Sequence, residues 1–232
     1  DGNFSNELLI STINTDLAND LGNLVSRTAA MVEKYFGGTL IPEREADAID
    51  SELVERIKTT KDSYAKQMDA LQLHLALEEV FKLIQRANKY IDECTPWVLA
   101  KDESKKPRLA TVMYNLLEAL RVSLVMLTPF MPESCEKAFA QIGACAAYRT
   151  WDKAGEYGVL PANVSVHKGE TLFPRIDMDK ALAELEKRKK ESSAPEAKPV
   201  LPDVSIDEFA KCDMRVCKVL TCEAVKKSEK LL

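Results

Sequence analysis

The chain has 232 residues, of which 46% are hydrophobic, enough for a buried core in one domain with an appendage or in two small domains. Its formal net charge of −5 provides no overall basic field, so any nucleic-acid contact must come from a local site. This excludes a protein that coats DNA or RNA through its global charge. We find neither a secretion signal nor an apolar run of roughly 18 residues, so we expect no membrane partner, and without a basic field we expect no DNA partner. Together with the cysteine usage described next, this predicts a cytoplasmic protein.

The cysteine pattern predicts neither a disulfide framework nor a metal site. A chain of this size and apolar content does not need disulfides, which fits a reducing compartment. The last three cysteines are spaced five apart, but zinc ligands usually come as close pairs and no histidine lies near them. The six cysteines, none of which forms a CxxC pair, are Cys94, Cys135, Cys145, Cys212, Cys217 and Cys222.

The first third of the chain shows helical spacing of its apolar residues. A helix is predicted over residues 5–36, ended by Gly37 and Gly38. A charged helix with a thin apolar stripe is predicted over residues 46–68, and a third helix over residues 70–93 before Pro96. The apolar face of the first helix consists of Leu9, Ile13, Leu17, Leu21, Leu24, Met31 and Val32.

A strongly apolar helix is predicted after the charged connector at residues 101–107, and it extends from about Leu109 to Leu127. We expect it at the centre of the fold. Pro129 and Pro132 then break the chain, and a short helix follows over residues 133–142. Four to five helices with short connections predict an all-α fold, an antiparallel helical bundle.

The pattern changes after the bundle. Alternating apolar residues between 151 and 174, with Val164 and Val166 before a Lys-Gly turn, predict a short β hairpin or an extended return strand. A charged helix over residues 180–191 and a proline-rich linker over 192–202 follow. From Val204 onward we expect a short acidic turn or helix and then one or two strands, too short to bury a core alone. The predicted domains are therefore 1–180, 181–203 and 204–232.

Several segments resemble methionyl-tRNA synthetases. DLANDLGNLVSR at 16–27 resembles the first helix of their anticodon-binding domain, and DGNFS at 1–5 resembles the entry into it. CTPWVLAKDE at 94–103 resembles the anticodon loop, and LFPRID at 172–177 the closing segment. The tail from residue 205, SIDEFAKCDMRVCKVLTCEAVKKSEKLL, is similar to the start of the OB-fold tRNA-binding module that many of these synthetases append. The resemblance implies an anticodon-binding bundle followed by an incomplete OB-fold.

The catalytic signatures of class I synthetases, HIGH and KMSKS, do not occur in the sequence. The resemblance implies that they lie upstream in a longer protein, where ATP and methionine would bind. We therefore expect no cofactor in this chain and no aminoacylation by it alone. The implied partners are tRNA(Met), recognised by its CAU anticodon, and a second copy that pairs through the appended module of the full-length protein.

A polar stripe lies beside the apolar face of the first helix, since Asn19, Asn23 and Arg27 are spaced four apart. Judged by spacing alone, such a stripe is more often an ordinary solvated face. The resemblance implies instead that Asn23 and Arg27 read the first anticodon base. Asparagine offers a donor and an acceptor together, and the guanidinium fork can grip a base edge or a phosphate. Asn19 keeps the solvent-facing interpretation.

Trp97 follows Pro96 at a helix end, where the fixed proline torsion can hold a large ring at the surface. The alternative is a core anchor, because tryptophan is usually mostly buried. The resemblance implies a platform on which an unstacked anticodon base lies. The predicted anticodon-binding residues are therefore Asn23, Arg27, Pro96 and Trp97, and we expect Asn23, Arg27 and Trp97 to converge on one exposed patch.

A helical protein-interaction scaffold is the alternative function, because apolar bundles joined by charged loops are common. The two functions differ in the expected state of Trp97. An exposed ring beside Asn23 and Arg27 would favour RNA binding, whereas a fully buried ring would favour a scaffold. Trp151 has no counterpart in the resemblance, so we predict that it packs between the bundle and the return segment.

Overall fold

The computed structural model describes residues 4–192, 205–212, 215, 216 and 218, and it divides into the compact units Asp1–Glu186 and Lys187–Leu232. Within the described residues the regular elements are helical, apart from one antiparallel bridge between Thr39 and Ser165. The predicted helical bundle is confirmed. The helices of the first unit are α1 (Asn6–Thr12), α2 (Asn23–Phe36), α3 (Asp50–Asp69), α4 (Leu73–Cys94), α5 (Pro96–Leu99), α6 (Lys106–Leu127) and α7 (Pro132–Gln141). Helix α8 (Met178–Ser192) includes the boundary between the two units.

Helix α6 is the centre of the bundle, as its composition predicts. Every residue from Arg108 to Leu127 is buried, which is expected of a helix that is apolar on all sides. By length and composition the segment Glu103–Leu127 could cross a membrane, but its apolar window is entirely buried within the protein. It is therefore the core helix of this fold, with α3 and α4 packed around it as an antiparallel pair.

A π-helical segment, Ile13–Gly22, separates α1 from α2 and corrects one sequence-based expectation. Leu9 was placed on the inward face, yet it is 46% exposed, whereas Leu21 is 1% exposed. The wider π turn rotates α1 relative to α2, so Leu9 leaves the buried face. A spacing of four, as between Leu9, Ile13, Leu17 and Leu21, is also typical of an α-helical face, so the sequence does not distinguish the π turn.

The return segment does not form a hairpin, so the hairpin alternative is wrong: the segment begins with a 3-10 helix, Asp152–Gly155, and is extended where it pairs near Ser165. It pairs instead with the chain that follows α2: Leu40 N–H donates to Val164 O at 3.1 Å, and Val166 N–H donates to Gly38 O at 2.7 Å. Burial of Val164 and Val166 against the bundle explains this choice, because pairing within a hairpin would leave both side chains without cover.

A fully buried ion pair on α6 fixes the return segment to the bundle. Arg121 Nε and Nη2 donate to Glu118 at 2.9 and 2.8 Å, and both side chains are 0% exposed. The free donors of Arg121 reach the carbonyl oxygens of Tyr148, Lys153 and Glu156, at 3.2, 3.0 and 2.6 Å. The second carboxylate oxygen of Glu118 accepts from the backbone N–H of Leu160 at 2.6 Å. Both charges are thus hydrogen-bonded, as burial requires.

Asn14 closes the other end of the return segment. Its side-chain amide donates to Ile176 O and accepts from Ile176 N–H, both at 2.8 Å, across 162 residues of sequence. Gly22 permits the same closure, since a Cβ there would lie 3.4 Å from the Phe173 ring and 3.0 Å from Leu17 O. The segment at 172–177 therefore packs against the π-helical segment.

Towards the C-terminus the structure describes helix α9 (Ile206–Phe209), which agrees with the acidic turn or helix predicted there. The predicted linker and OB-fold strands lie largely outside the described residues, as do Cys217 and Cys222. Within the described part of the chain, no group of three or more histidine, cysteine, aspartate or glutamate side chains could hold a metal ion. The three-domain division stays a prediction.

Candidate nucleic-acid interface

Asn23 and Arg27 lie one turn apart in the first half of α2, immediately after the π-helical segment. Asn23 is exposed, and the Arg27 side chain is 36% exposed. The opposite face of α2 is fixed in the core by Leu24, Val25 and Thr28, so the orientation of the polar face is set by packing. Both side chains present donors to solvent from a rigid element.

Arg27 forms an ion pair with Asp92, a residue that sequence reasoning missed. Arg27 Nη2 lies 3.7 Å from Asp92 Oδ1, and the Asp92 side chain is 72% exposed. Such a surface pair contributes only about 0–1 kcal/mol to stability. Its importance is geometric, because it joins α2 to the last turn of α4, five residues before Trp97. An acidic residue just ahead of the Pro-Trp pair was the available signal in the sequence.

Trp97 lies in the short helix α5, where 43% of the residue is exposed, while the adjacent Pro96 is buried. The corner between α4 and α5 is formed by Thr95, whose backbone is left-handed at φ 43° and ψ 61°. This conformation is unfavourable for a β-branched residue and costs roughly 1–3 kcal/mol. The N–H of Thr95 still donates to Ile91 O at 3.0 Å, and Val98 N–H donates to Thr95 O at 2.8 Å. The ring is thus held at a sharp, ordered corner.

A buried polar cluster lies beneath this corner. Arg108 grips both carboxylate oxygens of Asp50, with Nη1 at 2.8 Å and Nη2 at 2.7 Å, and Nη2 also contacts Cys94 Sγ at 3.7 Å. Tyr90 Oη donates to Asp50 at 2.5 Å and accepts from Asn115 at 3.0 Å. Burial alone would raise the pKa of Asp50, but hydrogen bonds from Arg108 and Tyr90 outweigh it and lower that pKa. Burial raises the pKa of the Cys94 thiol.

The predicted site residues are therefore brought together only in part. Arg27 is tied to α4 near its end, and Trp97 follows in the next helix, half-exposed rather than buried as a scaffold would require. Within the described residues, no hydrogen bond, ion pair or ring contact joins Trp97 directly to Asn23 or Arg27. Convergence of Asn23, Arg27 and Trp97 on one exposed patch stays a prediction, whereas Pro96 is buried and is not part of an exposed surface.

Trp151 is 44% exposed, so its predicted packing role is only partly correct. Its ring packs on Tyr64 of α3 with centroids 5.9 Å apart, and Lys61 Nζ lies 5.1 Å from its centroid. The two tryptophans are thus equally exposed but rest on different elements. Trp151 is a natural control for any function assigned to Trp97.

The family model described as the anticodon binding domain of methionyl tRNA ligase matches residues 41–193. The chain belongs to this family. Trp97 lies inside the matched span of the anticodon-binding domain, whereas Asn23 and Arg27 precede it. For those two residues the similarity to whole relatives is the relevant comparison.

Relatives of this anticodon-binding domain match over the whole chain. Methionine–tRNA ligase of Clostridium acetobutylicum is 50% identical, and that of Bacillus subtilis is 41% identical, over 100% of this chain in each case. The chain spans about a third of the length of these relatives, 36% in both. The apo form of methionyl-tRNA synthetase from Mycobacterium tuberculosis has a similar structure, with a TM-score of 0.70 and 32% identity. That likeness covers 75% of this chain and 35% of the other.

Proposed function

We propose that this chain binds the anticodon arm of tRNA(Met) and recognises the CAU anticodon through Asn23, Arg27, Pro96 and Trp97. The observation that carries the proposal is Trp97, a half-exposed aromatic ring on an ordered corner, beside the helix end to which Arg27 is tied. Single-stranded RNA bases are recognised by such rings, because every base offers a flat face for stacking.

The roles of the side chains follow from their chemistry. Trp97 supplies the stacking surface, and the buried Pro96 keeps the first turn of α5 in place. Asn23 offers a donor and an acceptor to a base edge, and Arg27 offers donors that can exchange the weak Asp92 contact for RNA. Stacking provides affinity, and the hydrogen bonds of Asn23 provide discrimination.

The wider activity belongs to the longer protein implied by the relatives. In it, a catalytic part outside this chain would use ATP to attach methionine to tRNA(Met) in the cytoplasm. The appended OB-fold module would bind tRNA and pair two copies of the protein. This chain would deliver the anticodon end of the tRNA to that enzyme, without a cofactor of its own.

The test is a titration of this chain with an anticodon stem-loop that carries CAU, at fixed salt because phosphate contacts depend on ionic strength. Trp97→Ala should weaken binding by about 1–3 kcal/mol, the contribution of one base–aromatic stack. Trp151→Ala, the matched control with an equally exposed ring, should bind as the parent does. Thermal melts should show both variants folded. Parental affinity in Trp97→Ala would refute the proposed site.

A further inference from the structure

The orientation of α5 must be fixed by contacts with the rest of the protein, because a helix of four residues has no stability of its own. Its orientation relative to α4 depends on Thr95, which keeps a left-handed backbone despite its β-branched side chain. Such a conformation persists only where the surrounding structure fixes it. The residues that fix this corner therefore also fix where the Trp97 ring points.

Arg108, in the first turn of α6, is the residue best placed to do so. It is 7% exposed, and its guanidinium contacts three separate parts of the chain. Nη1 donates to Glu45 O at 3.3 Å as well as to Asp50 at 2.8 Å. Nη2 donates to Asp50 at 2.7 Å and to Sγ of Cys94, the last residue of α4, at 3.7 Å. The planar guanidinium group of Arg108 thus joins the start of α3 to Cys94, the residue before Thr95.

We propose that Arg108 is a positioning residue for RNA recognition: through Cys94 and Asp50 it fixes the α4–α5 corner and thereby the stacking face of Trp97. The inference rests on the proposed function, in which Trp97 carries the stacked base. Arg108 itself is buried and touches no RNA. Its contribution is the fixed direction of its donors, since a buried ion pair adds little net stability over well-packed apolar residues.

A second buried ion pair in α6 provides a control that distinguishes an effect on the orientation of Trp97 from an effect on the stability of the fold. Arg121 and Glu118 have the same chemistry and are more deeply buried, but they hold the return segment and have no contact with Cys94 among the described residues. Loss of the hydrogen bonds made by the Arg121 guanidinium should destabilise the bundle without reorienting Trp97. Arg121→Lys is therefore the matched control for Arg108→Lys, since both substitutions keep the charge and remove the planar fork.

The experiment uses the whole chain in a Trp151→Phe background, so that fluorescence reports on Trp97 alone. We expect Arg108→Lys to remain folded by circular dichroism, to change the acrylamide quenching of Trp97, and to bind the CAU stem-loop about tenfold more weakly. Arg121→Lys should lower the melting temperature and leave quenching and affinity at parental values. Cys94→Ala, which keeps the Asp50 pair, should change quenching in the same direction as Arg108→Lys and serves if that variant fails to fold.

Unchanged quenching and affinity in Arg108→Lys, or equal changes in both lysine variants, would overturn the positioning role. If Arg108→Lys is unfolded, parental quenching in Cys94→Ala would overturn it as well. Failure of the proposed function has a different signature: Trp97→Ala would bind the stem-loop as tightly as the parent. The quenching comparison needs no RNA and still decides whether Arg108 orients the ring.

Discussion

At the scale of single residues, the proposed division of labour separates affinity from selectivity. Asn23→Ala should narrow the difference in affinity between the CAU stem-loop and one with a changed first base, by about 1 kcal/mol for one lost hydrogen-bonding group. Asn19→Ala is the matched control, because Asn19 is also an exposed asparagine but lies one turn earlier, within the π-helical segment. Titrations of both loops with both variants measure the effect. Equal selectivity in the parent and in Asn23→Ala would show that Asn23 does not recognise the first anticodon base.

Asp50 gives a pH-dependent contribution whose sign follows from its lowered pKa. A carboxyl group with a lower pKa in the folded state stabilises the fold above its unfolded pKa, near 3.8, and loses that contribution as pH falls through the folded pKa. The difference in unfolding free energy between the parent and Asp50→Asn should therefore be larger at about pH 7 than at about pH 3. Urea unfolding at both pH values checks this. A difference that grows on acidification would contradict it.

The sequence predicted the state of a side chain where residue type and neighbouring residues were sufficient. It did not predict contacts that depend on how the helices pack. Trp97 after Pro96 could be picked out as a surface ring, and it is half-exposed. The Arg27–Asp92 contact could not be predicted, because it depends on how α2 crosses the end of α4. Glu118 and Arg121 interrupt an apolar helix in the sequence, but the backbone groups that bond to them lie more than 25 residues away, in the chain after α7.

At the scale of elements, the helices were predictable because each buries a face with helical spacing. The pairing of the return segment was not predictable, since its partner is far away in sequence: residues 164–166 bond to residues 38–40. The π-helical segment was missed as well, because the spacing of four ahead of Leu21 is equally typical of an α-helix. Regular spacing reveals which face is buried, whereas the partner of an extended segment depends on the assembled surface.

Gly143 tests how closely the return segment must approach the bundle. It has φ 71°, and a Cβ there would overlap the Ser165 carbonyl oxygen, so two separate obstacles oppose any side chain. Gly143→Ala should therefore lower the unfolding free energy by at least ~1 kcal/mol, measured by urea denaturation. Gly158→Ala is the control with a similar φ of 86° but open space around the added Cβ, and it should cost less. Equal losses in the two variants would show that contact with Ser165 is unimportant.

At the scale of the whole molecule, the first compact unit, Asp1–Glu186, contains the bundle and every residue of the proposed site. A chain ended at residue 186 should therefore unfold cooperatively and bind the CAU stem-loop with parental affinity. A chain ended at residue 147 should not, because it lacks the carbonyl groups that satisfy Arg121. Circular dichroism melts and titrations compare the two. Loss of binding on ending the chain at 186 would place part of the site in the second unit.

The Glu118–Arg121 pair also sets the order of events during synthesis. Both charges emerge from the ribosome with α6, 32 to 42 residues before Lys153, Glu156 and Leu160 can bond to them. Until then, closing the core would bury two ions whose remaining hydrogen bonds are unmade, at a cost of several kcal/mol. The nascent bundle should therefore stay loosely packed, and open to chaperones, until residue 160 has left the exit tunnel. The pair should therefore couple closure of the core to synthesis of the return segment, in addition to its architectural role in the finished protein.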